Sequence, residues 1–203
     1  YINPTDENPA GSNTPLYQSY AGIGLENTTC WQTFWIDEQN IYAGFSDIKG
    51  IRSTDAGNTW SFNYTGHNEN SMYRIAKNIA NNTLYIATAS VHDLYQSTRL
   101  ADAQLDAAGN TGSVKYSTNN GASWQVLHDF SDIVAWVATN PNNANQLYAS
   151  VVNSANGNGG VWVSNNTNLG SASTWTKLPN PPRTEGHPFN ITVLTDGKVV
   201  ASY

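Results

Sequence analysis

The chain has 203 residues, enough for one domain with a sizeable core, yet only 12% are charged and the formal net charge is −6. Nine Lys and Arg, spread singly, give no grip on a phosphate backbone and no basic juxtamembrane cluster, which excludes nucleic acid as a partner. No apolar run approaches the roughly 18 residues of a membrane helix, so no membrane insertion is expected.

The first segment, 1–29, is expected to be extended or to close a preceding structural unit; starting at Tyr1, the chain reads as an excised piece. From Cys30, "CWQTFWI" and "NIYAGF" flank the polar turn "DEQN", and "GIRSTDAGNTW" and "SFNYT" follow. The order returns as "MYRIA", "TLYIAT", "SVKYSTNNGASW" and "QVLHDF", with the long insertion "HDLYQSTRLADAQLDAAGNTG" at 92–112. It returns again as "IVAWVAT", "QLYASV", "GVWVSNNTNLGSASTW" and "TKLPN", and begins once more with "FNITVLT" and "KVVASY". Short runs rich in Tyr, Trp, Val and Ile between Asn, Gly and Asp turns are strands, not helices. Each unit is thus a four-stranded antiparallel meander, and Tyr42, Tyr85 and Tyr148 recur at a spacing compatible with propeller blades of about 40–50 residues.

The fold class is therefore all-β: part of a β-propeller, with blades at 30–66, 67–130 and 131–186 and the first strands of a further blade at 187–203. A ring needs at least about four blades, so the remaining blades, seven in all by expectation, are partners of this piece. Cys30 is the single cysteine, which excludes an internal disulfide, and its neutral setting "TTCWQ" predicts a buried structural thiol.

In "STDAGNTW", Asp55 can accept hydrogen bonds from amides just beyond it, Gly57 supplies a positive φ, Ser53 braces the loop, and Trp60 is expected to be buried between blades. The second copy keeps Ser117, Gly121 and Trp124 but has Asn119 for the aspartate; the third inserts four residues. A carboxylate essential to chemistry would not alternate with an amide, so these turns are structural. The pattern Ser-x-Asp-x-Gly-x-Thr-Trp resembles the Asp-box, or BNR repeat, of propeller families that include sialidases, xyloglucanase-type enzymes of glycoside hydrolase family 74, sortilin-type receptors and photosystem assembly factors.

In a meander, connections alternate between two ends. The Asp-box turns share one end with the strand-one-to-two turns, and the other end collects "SDIKG" (46–50), the insertion, "NSANGNGG" (153–160) and the interblade segments 66–71 and 179–188. Candidate binding residues at that end are His67, Glu69, His92, Asp93, Tyr95, Arg183, Glu185 and His187.

Asp47 is the candidate catalytic residue. Gly24-Leu25-Glu26-Asn27-Thr28 followed by Ser46-Asp47-Ile48-Lys49-Gly50-Ile51 is similar to the xyloglucanase-type Gly-Ile-Glu-Glu-Thr and Gly-Asp-x-Gly-Gly-Phe pair, the second element of which carries a catalytic aspartate. Ser46 and Lys49 stand where that pattern has glycine, and Ile51 replaces the aromatic. Lys49 beside Asp47 would favour the ionised form, which suits a base. The alternative is that Asp47 only caps a loop turn.

Other candidates point less sharply. Asp102, Asp106 and Asn110 lack EF-hand spacing, and no metal or cofactor is expected. Trp31, Trp35, Trp136 and Trp162 could stack on sugar rings but, as strand residues, belong by expectation to the core. Two functional classes stay open: a secreted, extracellular propeller that hydrolyses or binds polysaccharide with an inverting two-carboxylate mechanism, and a non-catalytic module for protein contacts or cell-surface assembly. Sialidase is disfavoured, because Arg74-Ile75-Ala76 lacks the proline of that family's Arg-Ile-Pro signature.

Overall fold

A computed structural model describes residues 28–94, 96, 100–184 and 186–203; segment 1–27, with Glu26 of the motif above, and Tyr95, Arg99 and Glu185 lie outside the described residues. The first sheet holds β1 (Cys30–Trp35), β2 (Ile41–Phe45) and β3 (Gly50–Ser53) in chain order. The second holds β4 (Ser71–Lys77), β5 (Leu84–Ala89), β6 (Ser113–Ser117) and β7 (Gln125–Asp129). The third runs from β8 (Ile133–Asn140) through β9 (Asn143–Val152) and β10 (Gly160–Ser164) to β11 (Thr176–Lys177), and the fourth pairs β12 (Asn190–Val193) with β13 (Val199–Ser202). All pairings between these strands are antiparallel. A short helix, α1 (Asp102–Leu105), sits in the insertion, and a 3-10 helix, Thr167–Ala172, takes up the four extra residues of the third turn.

The sheets stack in chain order, as consecutive blades of a β-propeller do. Tyr42 from the first sheet meets Met72, Ile75, Leu84, Ile86 and Trp124 from the second. Tyr85, Val114 and Leu127 then meet Val137, Leu147 and Val151 of the third, and Val161 and Val163 meet Ile191 of the fourth. Each large apolar side chain so buried contributes about 1.5–3 kcal/mol. Both faces of a middle sheet must therefore be apolar, which is why β5 reads as an unbroken apolar and small-residue run, LYIATA, buried throughout.

Three registers repeat. Ile41 faces Ser53, Leu84 faces Ser117 and Leu147 faces Ser164, so each turn serine leaves its sheet at the same row. The first strands also share a bulge: Trp31, Tyr73 and Ala135 are each one residue too many for their partner strand. A bulge re-aims its side chain. Here Trp31 and Tyr73 meet edge to face at 5.1 Å, and Tyr73 and Ala135 join one cluster with Leu94 and Leu105. The insertion is thereby anchored, since its Leu94 and Leu105 bury on the bulged residues.

Several expectations are corrected. Trp60 is 37% exposed while Trp124 is 4% exposed, because Trp124 packs on Tyr42 of the adjoining sheet and no described sheet lies on the Trp60 side. Trp35 is exposed for the same reason. Cys30 is exposed at the start of β1, its sulfur 3.6 Å from the Thr33 hydroxyl. The fourth strand of the first sheet shrinks to one bridge, Arg52 with Ser61, after which Thr65 bridges in parallel to Ser123 of the second sheet.

Candidate functional site

The two ends of the sheets separate as the meander requires. At one end the Ala56 amide donates to the Gln39 carbonyl at 2.9 Å, joining the turn after β3 to the turn between β1 and β2. Neighbouring sheets are tied there as well: Arg52 Nε donates to the Asn120 carbonyl at 2.9 Å and Asn120 Nδ2 to Asp37 at 3.1 Å.

The three turns after β3, β6 and β10 use one bonding scheme. In the first, the Ser53 hydroxyl donates to Asp55 and accepts from the Gly57 amide, both at 2.8 Å, and Asp55 accepts the Thr59 amide at 2.8 Å. Ser117 and Asn119, then Ser164 and Asn166, repeat the serine-to-Oδ1 bond and the Oδ1-to-amide bond. The third turn lacks, among the described residues, the amide bond that Gly57 and Gly121 give their serines, and between Asp and Asn the hydroxyl contact reverses. Thr59 donates to Asp55 at 2.6 Å, whereas the amides of Asn119 and Asn166 donate to Ser123 and Thr174. The hydroxyl rotates to suit either partner, so Asp and Asn are interchangeable here. The Thr59 hydroxyl, with the Thr59 amide and Ser53, lowers the Asp55 pKa. Gly57 and Gly121 sit at φ 86 and 76, the left-handed geometry that the turn needs.

At the opposite end lies Asp47, half-buried in the loop between β2 and β3. The Thr28 hydroxyl donates to its carboxylate. Three bonds fix the loop around it: Trp31 Nε1 to the Ser46 hydroxyl at 2.6 Å, Phe45 N to the Lys49 carbonyl at 2.9 Å and Lys49 N to the Asn70 carbonyl at 2.8 Å. Lys49 has φ 69, a left-handed conformation normally left to glycine. No ion pair joins Lys49 to Asp47 among the described residues.

His67 is not at the surface of this end, and Glu69 reaches it only in part. Because the first sheet lacks a full fourth strand, segment 66–70 fills the wedge between two sheets. His67 is 2% exposed, stacks on Tyr64 and places Nδ1 3.3 Å from the Tyr42 hydroxyl. Its Nε2 has no hydrogen-bond partner among the described residues, and burial lowers its pKa to about 4 against the opposing pull of Glu69. Glu69 meets the buried Lys115 ammonium at 2.9 Å. Burial pushes the Glu69 carboxyl up, but the Lys115 ammonium, a backbone hydrogen bond and the nearby His67 together outweigh it and the net shift is downward. Lys115 carried no sequence signal, being one polar residue in a strand.

The remaining candidates gather around the insertion. His92 Nδ1 lies 2.6 Å from Asp93, and Tyr95 beside them is outside the described residues. His187 bridges to Asp106 at 3.2 Å and Asp102 at 3.6 Å, while Asp106 also accepts the Ser154 amide at 2.7 Å and the Ser154 hydroxyl. Burial raises Asp106, but the Ser154 and His187 hydrogen bonds prevail and lower it. One step inward, Asp132 is buried and accepts side-chain amides from Asn153, Asn156 and Asn158. A cavity of about 390 Å³ opens between loop 153–159 and segment 177–186, with Arg183 on its wall. Among the described residues every carboxyl with a resolved shift, Asp37, Asp55, Glu69, Asp106 and Asp196, is lowered, the direction that suits a base and not a proton donor.

No protein-family model matches the chain, and no curated protein matches it. Among solved structures it is similar to an ancestral GH74 enzyme, at 18% identity and a TM-score of 0.54 over 80% of the chain. It is also similar to a GH74 enzyme of Niastella koreensis, at 23% identity and a TM-score of 0.49 over 68% of the chain. A protein of unknown function from Dyadobacter fermentans aligns at 15% identity and a TM-score of 0.42, over 90% of this chain and 50% of its own. The chain spans only 20% of the length of either GH74 enzyme. The ancestral enzyme's likeness bears on fold alone, and it agrees with the stacked meanders: the chain is all-β, part of a β-propeller.

Proposed function

We propose that this chain belongs to a secreted, extracellular propeller that engages and hydrolyses a polysaccharide, with Asp47 as the base of an inverting pair of carboxyl groups. The observation that carries the reading is the backbone of the Asp47 loop. Lys49 adopts the left-handed conformation at the position where the resembled xyloglucanase-type pattern has glycine, so the sequence departure keeps the turn that presents the aspartate. The bonding scheme of the three Ser-x-Asp or Ser-x-Asn turns supports reading them as Asp-boxes.

In the reaction, Asp47 takes a proton from water as that water attacks the anomeric carbon. The glycosidic C–O bond breaks, and a second carboxylic acid, about 6.5–9.5 Å away, protonates the leaving oxygen. The downward shifts of the five resolved carboxyls favour assigning that acid to another blade. They also favour the second reading, a non-catalytic propeller that binds glycan or protein.

Reducing-sugar release and glycan binding by the full-length protein and its Asp47→Asn variant separate the two. Hydrolysis of β-glucan that the variant loses while still binding supports the enzyme. A variant with full activity removes Asp47 from catalysis, and absence of all glycan binding leaves the protein-contact reading.

A further inference from the structure

We infer that the 390 Å³ cavity beside Arg183 takes a carboxylate-bearing sugar, a uronic acid unit of an acidic polysaccharide. This rests on the polysaccharide reading and narrows its substrate class. The chain carries 9 Lys and Arg against 15 Asp and Glu, yet the described residues lining this cavity include Lys177 and Arg183 and no carboxylate.

What distinguishes the cavity is which of its polar groups are already used. The Asn153 amide donates to Asp132, the Ser154 amide and hydroxyl are held by Asp106, and the Thr184 hydroxyl donates to the Pro181 carbonyl. Asn180 Nδ2 donates to the Gly159 carbonyl at 3.1 Å. The groups that would read neutral sugar hydroxyls are thus largely committed within the protein. Positive charge is what remains. The Lys177 ammonium gives one bond to the Gly157 carbonyl at 2.6 Å, which fixes its position and leaves two of its three donors. Arg183 makes no hydrogen bond or ion pair among the described residues, and its backbone is held at φ 68 in the loop. A guanidinium fork fits a planar carboxylate in two parallel bonds, and a fixed ammonium beside it adds charge without a further ordering cost. The cavity lies at the same end of the sheets as Asp47, so a polysaccharide crossing that end could place an acidic unit here.

Calorimetric titration of the full-length protein with an oligogalacturonate, a neutral β-glucan oligosaccharide and a sulfated dextran oligosaccharide tests this. The acidic-to-neutral affinity ratio is expected to fall about tenfold or more in Arg183→Gln and in Lys177→Gln, the loss of one charged hydrogen-bonding group. Glutamine keeps a side chain at both positions and adds no backbone strain at residue 183. Arg183→Lys, which retains charge but not the fork, should fall between. A ratio unchanged in both glutamine variants overturns the site, and sulfated dextran binding as tightly as oligogalacturonate overturns the carboxylate assignment. Binding of neutral glucan with none of oligogalacturonate overturns this inference and leaves the polysaccharide reading standing; binding of neither overturns both.

Discussion

At the end that carries the Ser-x-Asp and Ser-x-Asn turns, three sheets repeat one set of bonds; at the other, the loops share neither length nor partners. The repeated end is laced across sheets through backbone carbonyls, as Arg52 to Asn120 shows. The variable end is held by side chains particular to each loop, as Asp132 with its three asparagines or Asp106 with Ser154 and His187. The difference teaches where substitution is cheap. A shared turn tolerates any residue with the same acceptor, while each long loop depends on partners found nowhere else in the chain.

The strap that joins the two ends is the most sensitive part of the first two sheets. Gly66, at φ 81, lies in the strap between the first two sheets, and a Cβ there would run into the Trp124 backbone. Gly66→Val is expected to destabilise by about 3 kcal/mol or more, read by chemical denaturation. Next comes Asp47→Asn, expected to cost roughly a hundredfold or more in glucan hydrolysis if Asp47 is the base, with no change in melting temperature.

The strap also carries a pH dependence. Because the His67 pKa is lowered from 6.5 to about 4 on folding, the unfolded chain binds the proton more readily. Stability conferred by neutral His67 is present above pH 6.5 and lost as pH falls toward 4. Glu69, Lys115, Lys49 and the Tyr42 hydroxyl face this imidazole, and the Glu69 carboxyl, itself lowered, adds loss at still lower pH. Denaturation midpoints at pH 7, 5.5 and 4.5 should fall in order, with a shallower slope in His67→Gln; an equal slope would remove His67 from the account.

The smallest effects sharpen the repeated end. Ser53 is buried and serves both Asp55 and the Gly57 amide, so Ser53→Ala should cost about 1–2 kcal/mol. Asp55→Asn should leave the melting temperature unmoved, since Asn119 and Asn166 already fill that role.

The strand order was legible because both patterns it needs are local: runs rich in β-branched and aromatic residues, and turns marked by Asn, Gly and Asp. Even the orientation of the two ends followed from counting connections. Trp60 departs from its expectation because burial depends on which sheet lies alongside, and a tryptophan that starts a fourth strand looks the same with or without a neighbour; the neutral setting of Cys30 does not report its exposure. His67 was placed on an open face because its loop was assumed to follow a full strand, whereas a single bridge at Ser61 let the segment drop between the sheets. Lys115 and the bulges at Trp31, Tyr73 and Ala135 left no mark, since strands apolar on both faces carry no alternation for an extra residue to break, and a lone lysine does not name its partner.

The repeated unit, its turns and the end at which its variable loops gather follow from sequence, because turn chemistry and the clustering of β-branched and aromatic residues act over a few residues. Tertiary structure alone decided which carboxyls are neutralised, which histidine is buried and which cations remain free. Those properties arise between residues far apart in the chain, as Glu69 and Lys115 or Asp106 and His187 are, and are set by distances that no local pattern encodes.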